Sequence, residues 1–229
     1  MKWRGLEEST EETSRQTLAQ ILQERRELAE RYTPAEVVAL YQRAIEEISA
    51  SGLFERALKR GDQAPRFELP DENSNQVTLE ALLTQVSAVV CFFRGRWCPY
   101  DVAQLEAMND VLPELQAAGA SLVAISPQTQ HQAFLMHDQH KLRFRLLGDS
   151  GNHVARQFGL VYRVPDYQQQ VYRRSFVNLP FANGEDSWEL PVPATYVLAK
   201  DGKIRYARVD VDYRQRPEPL EILKAAISA

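Results

Sequence analysis

Residues 94–101 read Arg94-Gly95-Arg96-Trp97-Cys98-Pro99-Tyr100-Asp101. An apolar run, Ala88-Val89-Val90-Cys91-Phe92-Phe93, leads into this octet and predicts a strand over 87–93. A helical pattern from Val102 to Ala118 leads out of it, with Leu105, Met108, Leu112 and Leu115 on the buried face. The octet is therefore a strand-to-helix turn carrying a thiol between Trp97 and Pro99, a placement suited to redox chemistry. Where a second cysteine would complete Cys-x-x-Cys, the chain has Asp101.

The local chemistry follows from that turn. Cys98 is predicted at the helix N-cap, Pro99 at the first helical position and Asp101 at the third. Unpaired N–H groups give a helix N-terminus partial positive charge, which favours a thiolate. Arg94 and Arg96 add to this where their side chains point inward. Two readings of Asp101 stay open. As an acid in the first turn it stabilises the helix through the dipole. As a neighbour of Cys98 it accepts a proton from that thiol or a leaving thiol, and it opposes the thiolate by about 0.7–3 kcal/mol at ~6 Å. The plainer reading of Cys98 itself is a small turn residue. Cys91, mid-strand, reads as a buried hydrophobe, too far along the chain to bridge Cys98 without local unfolding.

Outward from the octet, Ser121-Leu122-Val123-Ala124-Ile125-Ser126 predicts a second buried strand. A helix over 130–140, a short strand at 144–147 and a helix from Asp149-Ser150 to Phe158 follow, so the order implies a parallel crossover. Upstream, 66–69 and 76–79 form a hairpin around the turn-rich 71–75, and a short helix runs from Leu79 to Leu83. Downstream, residues 161–191 read as irregular, with Tyr162, Tyr167, Tyr172, Phe176, Phe181 and Trp188 either covering a pocket or packing on the surface. A strand at 192–198, an Asp201-Gly202 turn, an antiparallel strand at 203–209 and a helix over 218–228 close the chain.

The first 60 residues are different. Residues 1–14 are polar and predicted to fray. Leu18, Ile21, Leu22, Leu28, Ala29 and Tyr32 recur at helical spacing, and Thr33-Pro34 restarts the pattern with Thr33 as N-cap and Glu36 in the first turn. Val37, Val38, Tyr41, Ala44, Ile45 and Ile48 line the second helix. These faces need a partner. Either they pack on the main domain or they form an arm exchanged between subunits of a homodimer. The expected division is a helical extension over 1–60 and an α/β domain over 61–229.

The composition is that of an ordinary globular chain: 44% hydrophobic and 25% charged, with net charge −4 over 229 residues. That balance argues against nucleic-acid or anionic-membrane partners. No apolar run approaches a membrane span, and the opening residues lack a signal-peptide pattern, so the expected location is the cytoplasm. Two cysteines make no disulfide framework. His131, His137 and His140 read as a solvated helix face, and Asp210 and Asp212 as a solvated strand-end pair. No cofactor or metal is expected.

The element order, with Trp97-Cys98-Pro99-Tyr100 at the turn and Val192-Pro193-Ala194-Thr195 opening a later strand, resembles the thioredoxin fold, a central mixed sheet flanked by helices. More narrowly it is similar to the peroxiredoxin-like branch of the alkyl hydroperoxide reductase/thiol-specific antioxidant family. Members carry Phe-Tyr-Arg-Gly-x-Trp-Cys-Pro-Tyr-Cys, here Phe92 to Asp101. Gly61-Asp62-Gln63-Ala64-Pro65, Val123 to Thr129, Ala155 to Leu160 and Leu190 to Thr195 belong to the same resemblance, which covers roughly 34–229. Typical peroxiredoxins have Pro-x-x-x-Thr-x-x-Cys. That pattern puts Arg94 at the Pro, Cys98 at the Thr and Asp101 at the peroxidatic Cys, and none matches. Cys98 falls at thioredoxin's nucleophilic cysteine, and Pro193 at its cis-proline. The resemblance implies an antioxidant oxidoreductase that reduces a hydroperoxide or disulfide through Cys98, regenerated by an external thiol such as thioredoxin or a small thiol. The competing reading is a redox-degenerate binding protein without turnover, because Asp101 occupies the peroxidatic position. Cys98 and Asp101 are the expected catalytic residues. Arg94, Trp97, Pro99, Tyr100 and Pro193 are the expected contacts to substrate or partner.

Overall fold

The computed structural model describes residues 16–229, so the predicted fraying of residues 1–14 lies outside the described residues. The first helix, α1 (Leu18–Tyr32), starts at a reciprocal cap in which Thr17 Oγ1 accepts from the Gln20 N–H and Gln20 Oε1 accepts from the Thr17 N–H. The Glu218 carboxylate also accepts from the Leu18 and Ala19 N–H groups at 3.2 and 2.7 Å, tying this helix start to the far end of the chain. Leu18 and Leu22 are buried, whereas Leu28 and Tyr32 stand 51% and 77% exposed. The apolar face read from the sequence is thus docked only along its first half. In α2 (Ala35–Ala50) the predicted cap shifts by one: Thr33 is the C-cap of α1 and Pro34 is the N-cap of α2. Helix α1 runs on to Tyr32, and the extended backbone of Thr33 and Pro34 makes the break.

A one-turn helix α3 (Leu53–Arg56) leads to the hairpin of β1 (Glu68–Pro70) and β2 (Gln76–Thr78), with Asp71 Oδ1 accepting from the Asn73 and Asn75 N–H groups in its turn. After α4 (Leu79–Leu82) comes β3 (Ser87–Phe92), buried at every position. The predicted helix beyond it is two helices, α5 (Pro99–Asp110) and α6 (Leu112–Ala117), separated at Val111 because Pro113 cannot continue the first. Next are β4 (Ala120–Ser126), α7 (Gln130–Gln139), β5 (Arg145–Gly148) and α8 (His153–Gln157), whose Val154 and Ala155 N–H groups are capped by Asp149.

The 161–191 stretch is ordered, against the sequence reading. It holds β6 (Val161–Arg163), α9 (Asp166–Arg174), α10 (Leu179–Asn183) and β7 (Glu189–Pro191), with β6 and β7 paired antiparallel. The Gln run hid α9: Gln168 and Gln169 are buried, and the Gln169 amide donates to the Val164 carbonyl. The chain ends in β8 (Ala194–Ala199), β9 (Ile204–Val209) and α11 (Pro219–Ile227).

One five-stranded sheet, ordered β5-β4-β3-β8-β9, organises these elements. The pairs β3–β4 and β4–β5 are parallel, and β3–β8 and β8–β9 antiparallel, which is the mixed sheet expected. Alternation along β3 splits the core. Ala88, Val90 and Phe92 join Phe158 and Tyr196 on one face, while Val89, Cys91 and Phe93 join Leu105, Met108 and Ile222 on the other. The central strand β3 thus delivers the octet to one edge of a sealed core.

Candidate active site

Beyond Phe92 the chain turns through Gly95, whose φ of 148° and position against the Trp97 ring demand glycine: an added Cβ would lie 2.7 Å from Trp97 Nε1. The Cys98 N–H donates to the Gly95 carbonyl at 3.0 Å, and Cys98 takes the N-cap of α5 with Pro99 first and Asp101 third, as predicted.

The two arginines divide. Arg94 points inward and is 2% exposed; its Nη2 donates to Cys98 Sγ at 2.9 Å and its Nη1 to the Tyr172 hydroxyl at 3.4 Å. Its guanidinium lies 3.8 Å from the Tyr213 ring centroid and 5.0 Å from that of Trp97. Arg96 points away, toward Gln132 and Gln139.

Asp101 is fully buried, and its carboxylate is engaged by groups other than the thiol. Its Oδ2 accepts from the Arg94 and Gly95 N–H groups at 2.9 and 3.3 Å, and its Oδ1 is bound by Arg216 Nη2. Arg216 also donates to Gln104 Oε1 at 2.7 Å and to the Tyr213 and Gln215 carbonyls, both at 2.6 Å. Gln104 donates to Thr195 Oγ1 at 3.1 Å, which faces Cys91 Sγ at 3.9 Å. The carboxylate is committed to holding the turn and the 210–218 loop together, as a buried charge requires.

Cys98 is 0% exposed. Burial pushes its thiol above the ordinary value; Arg94 pulls it down most, Asp101 opposes, and Arg216 and the Asp101 backbone N–H assist the thiolate. The sequence reading weighed the helix start, the arginines and Asp101 but not burial, which outweighs them in this closed form. The cover is α1: Leu18 and Leu22 pack in one cluster with Cys98, Tyr100 and Ala103. Arg25 of the same helix donates to the Pro99 carbonyl.

A cavity of about 210 Å³ lies beside the octet, lined by Arg94, Trp97, Pro99 and Tyr100, by Tyr172 and Val177 of the 161–191 stretch, and by side chains of α1 and α2, with Arg94 between it and the Cys98 thiol. Four expected contact residues therefore meet there. Pro193 is buried just before β8, its carbonyl accepting from the Asp210 N–H at 2.9 Å, and no cis peptide bond occurs among the described residues. The cis geometry implied for Pro193 is thus absent.

The 161–191 aromatics do both things weighed for them. Tyr172 lines the cavity, while Phe176 and Phe181 stand on the surface. Asp210 and Asp212 are not a solvated pair: Asp210 is buried against Arg208, and Asp212 holds Arg214 at 2.8 and 3.0 Å. His137 and His140 face Glu72 and Glu106, and no group of residues among those described forms a metal site. Sequence reasoning missed Arg216, Tyr41 and Tyr213 at the site, because nothing local marks a partner 115 residues from Asp101.

A mixed sheet with a cysteine at the N-cap of the helix after its central strand defines a thioredoxin-like protein. Residues 60–207 match the AhpC/TSA family, and the chain belongs to it. It is similar to peroxiredoxin Bcp of Escherichia coli, 33% identical over 103 residues that cover 45% of this chain and 65% of that protein. It is also similar to chloroplastic peroxiredoxin Q of Arabidopsis thaliana, 28% identical over 190 residues covering 81% and 76%. The crystal structure of peroxidoxin BcpB from Mycobacterium tuberculosis superposes with a TM-score of 0.58 at 20% identity, over 75% of this chain and 97% of that one, a likeness of fold. Among the described residues no helix is long and apolar enough to cross a membrane.

Proposed function

We propose that the protein is a thiol-dependent oxidoreductase that reduces a hydroperoxide, or a disulfide, through Cys98. The observation that carries this reading is the Arg94 Nη2 contact to Cys98 Sγ, 2.9 Å, at the start of α5. A guanidinium and a helix N-terminus both stabilise a thiolate. The family membership and the peroxiredoxin relatives point the same way.

The thiolate attacks the terminal peroxide oxygen and the O–O bond breaks. Sulfur is oxidised to a sulfenic acid, and the alkoxide leaves and takes up a proton. Cys91 is fixed in the core with its thiol pushed up to about 12 by burial, so an external thiol resolves the sulfenic acid and releases water. A second thiol then attacks the mixed disulfide, freeing Cys98 and leaving as a disulfide. With a disulfide substrate the Cys98 thiolate attacks one sulfur, the S–S bond breaks and one half leaves as a thiol; an external thiol then attacks the Cys98 sulfur and releases the other half as a thiol, and a second external thiol frees Cys98 and leaves as a disulfide. Arg94 orients the sulfur, Trp97, Pro99 and Tyr100 form the approach, and Asp101 positions the turn. Residues 61–229 carry the reaction and the preceding helices cover it.

One observation favours a binding protein without turnover: Cys98 is wholly buried. The two readings separate in a peroxide-consumption assay with a thiol donor. Turnover by the wild type that Cys98→Ser abolishes is expected. Equal inactivity of wild type and Cys98→Ser, with a gain in Asp101→Cys, would establish the degenerate reading instead.

A further inference from the structure

The cavity beside the octet carries guanidinium groups on one side and aromatic rings on the other, and the chemistry above uses the Arg94 contact to the thiol and the approach past Trp97, Pro99 and Tyr100 but not Arg26, Tyr41 or Tyr213. Arg94 is a buried guanidinium that no carboxylate side chain bonds among the described residues; it meets Cys98, Tyr172 and Tyr162, and its Nε has no hydrogen-bond partner. Arg26 of α1 lines the same cavity, and its Nε is likewise buried without a partner. Buried cationic donors are normally paired. Arg214, also lining, is already held by both oxygens of Asp212, so it forms wall rather than free charge. The acidic lining residue, Glu30, is exposed.

Opposite the arginines, Tyr41 sits with ring centroids 6.1 Å from Tyr172 and 6.4 Å from Tyr213. Burial raises the phenols of all three, so they stay neutral and put no negative charge into the cavity. The volume of about 210 Å³ equals that of about seven liquid waters at ~30 Å³ each. That is room for a single ring with one polar group.

We infer that this cavity binds a small aromatic carboxylate, its carboxylate on Arg94 and Arg26 and its ring against the tyrosines. Charge-assisted hydrogen bonds to guanidinium select the anion, and the flat apolar wall selects the ring. Binding shares Arg94 with the oxidoreductase reading but requires no reaction at Cys98.

The test is calorimetric titration of the full chain with benzoate, using benzamide as the neutral isostere. Benzoate is expected to bind at least about tenfold more tightly than benzamide. Arg26→Gln removes one donor, and Ala29→Phe fills the cavity from an exposed position on α1. Each is expected to weaken benzoate by about tenfold or more, with thermal melting of each variant confirming the fold. The inference is overturned by no benzoate binding, by equal binding of benzamide, or by unchanged affinity in both variants. The titration is repeated on Cys98→Ser, where wild-type affinity is expected. A wild type that binds benzoate but consumes no peroxide removes only the oxidoreductase reading; one that consumes peroxide but ignores benzoate removes only this site.

Discussion

The two cysteines are seven residues apart and equally buried, yet their surroundings differ. Cys91 points into the core among Val89, Phe93, Leu105 and Met108, and its polar neighbour is the Thr195 hydroxyl at 3.9 Å. Cys98 touches a guanidinium, occupies the N-cap position of a helix and clusters with Leu18 and Leu22 of α1 and with the Trp97 and Tyr213 rings rather than inside a sheet. Burial alone therefore does not distinguish the two thiols. What matters is whether the burying element can leave, and whether a cation waits for the thiolate. Moving Cys91 into solvent means opening the central strand of the sheet. Uncovering Cys98 involves α1, whose Leu18 and Leu22 share its cluster, and leaves the central sheet intact.

The strongest way to break the contrast is to collapse the frame around Cys98. Arg216→Met leaves Asp101 buried without its counter-ion, and a loss of about 3–5 kcal/mol in unfolding free energy is expected from urea melts. The same variant removes an influence that lowers the Cys98 pKa, so alkylation of Cys98 shifts to higher pH.

A sharper test leaves the frame and removes the cation. Arg94→Gln deletes the largest influence favouring the Cys98 thiolate. The rate of iodoacetamide labelling at neutral pH is expected to fall about tenfold, with its pH midpoint moved upward, because the thiolate is the reactive form. The sign follows from linkage. A thiol whose folded pKa is raised is favoured in its protonated form, so the stability it contributes is present below the unfolded thiol pKa and is lost as pH rises through the folded one. Labelling without change in Arg94→Gln would show that the guanidinium contact does nothing for the thiol.

The smallest expected effect tests the cover. Thr17→Ala removes the side-chain half of the cap on α1, worth about 1 kcal/mol. If undocking of α1 exposes Cys98, its labelling accelerates about fivefold, while Cys91 remains unlabelled in the native protein. Equal labelling of the two cysteines would mean that exposure comes from global unfolding.

Much of the fold is legible because it rests on local rules. The apolar run at 88–93 makes the central strand, Cys98-Pro99 makes a cap followed by a first-turn proline, and Asp201-Gly202 makes a hairpin. The misreadings fall where local and tertiary preferences part. Helix α9 buries two glutamines, and the Gln169 amide donates to the Val164 carbonyl inside the fold, so its periodicity does not look apolar. Asp210 looks solvated until Arg208 is seen folded onto it.

The strand–turn–helix frame, the placement of Cys98 at a helix start and the likeness to the thioredoxin fold are all readable from the chain, because these depend on spacing and backbone chemistry within a few residues. Tertiary packing sets the surroundings and access of the thiol. Arg94 turned inward and Arg96 outward, Asp101 paired with Arg216 rather than with Cys98, and α1 closed over the site. Electrostatic influence acts through space and grows as water is excluded, so it is set by which distant segments pack around the turn.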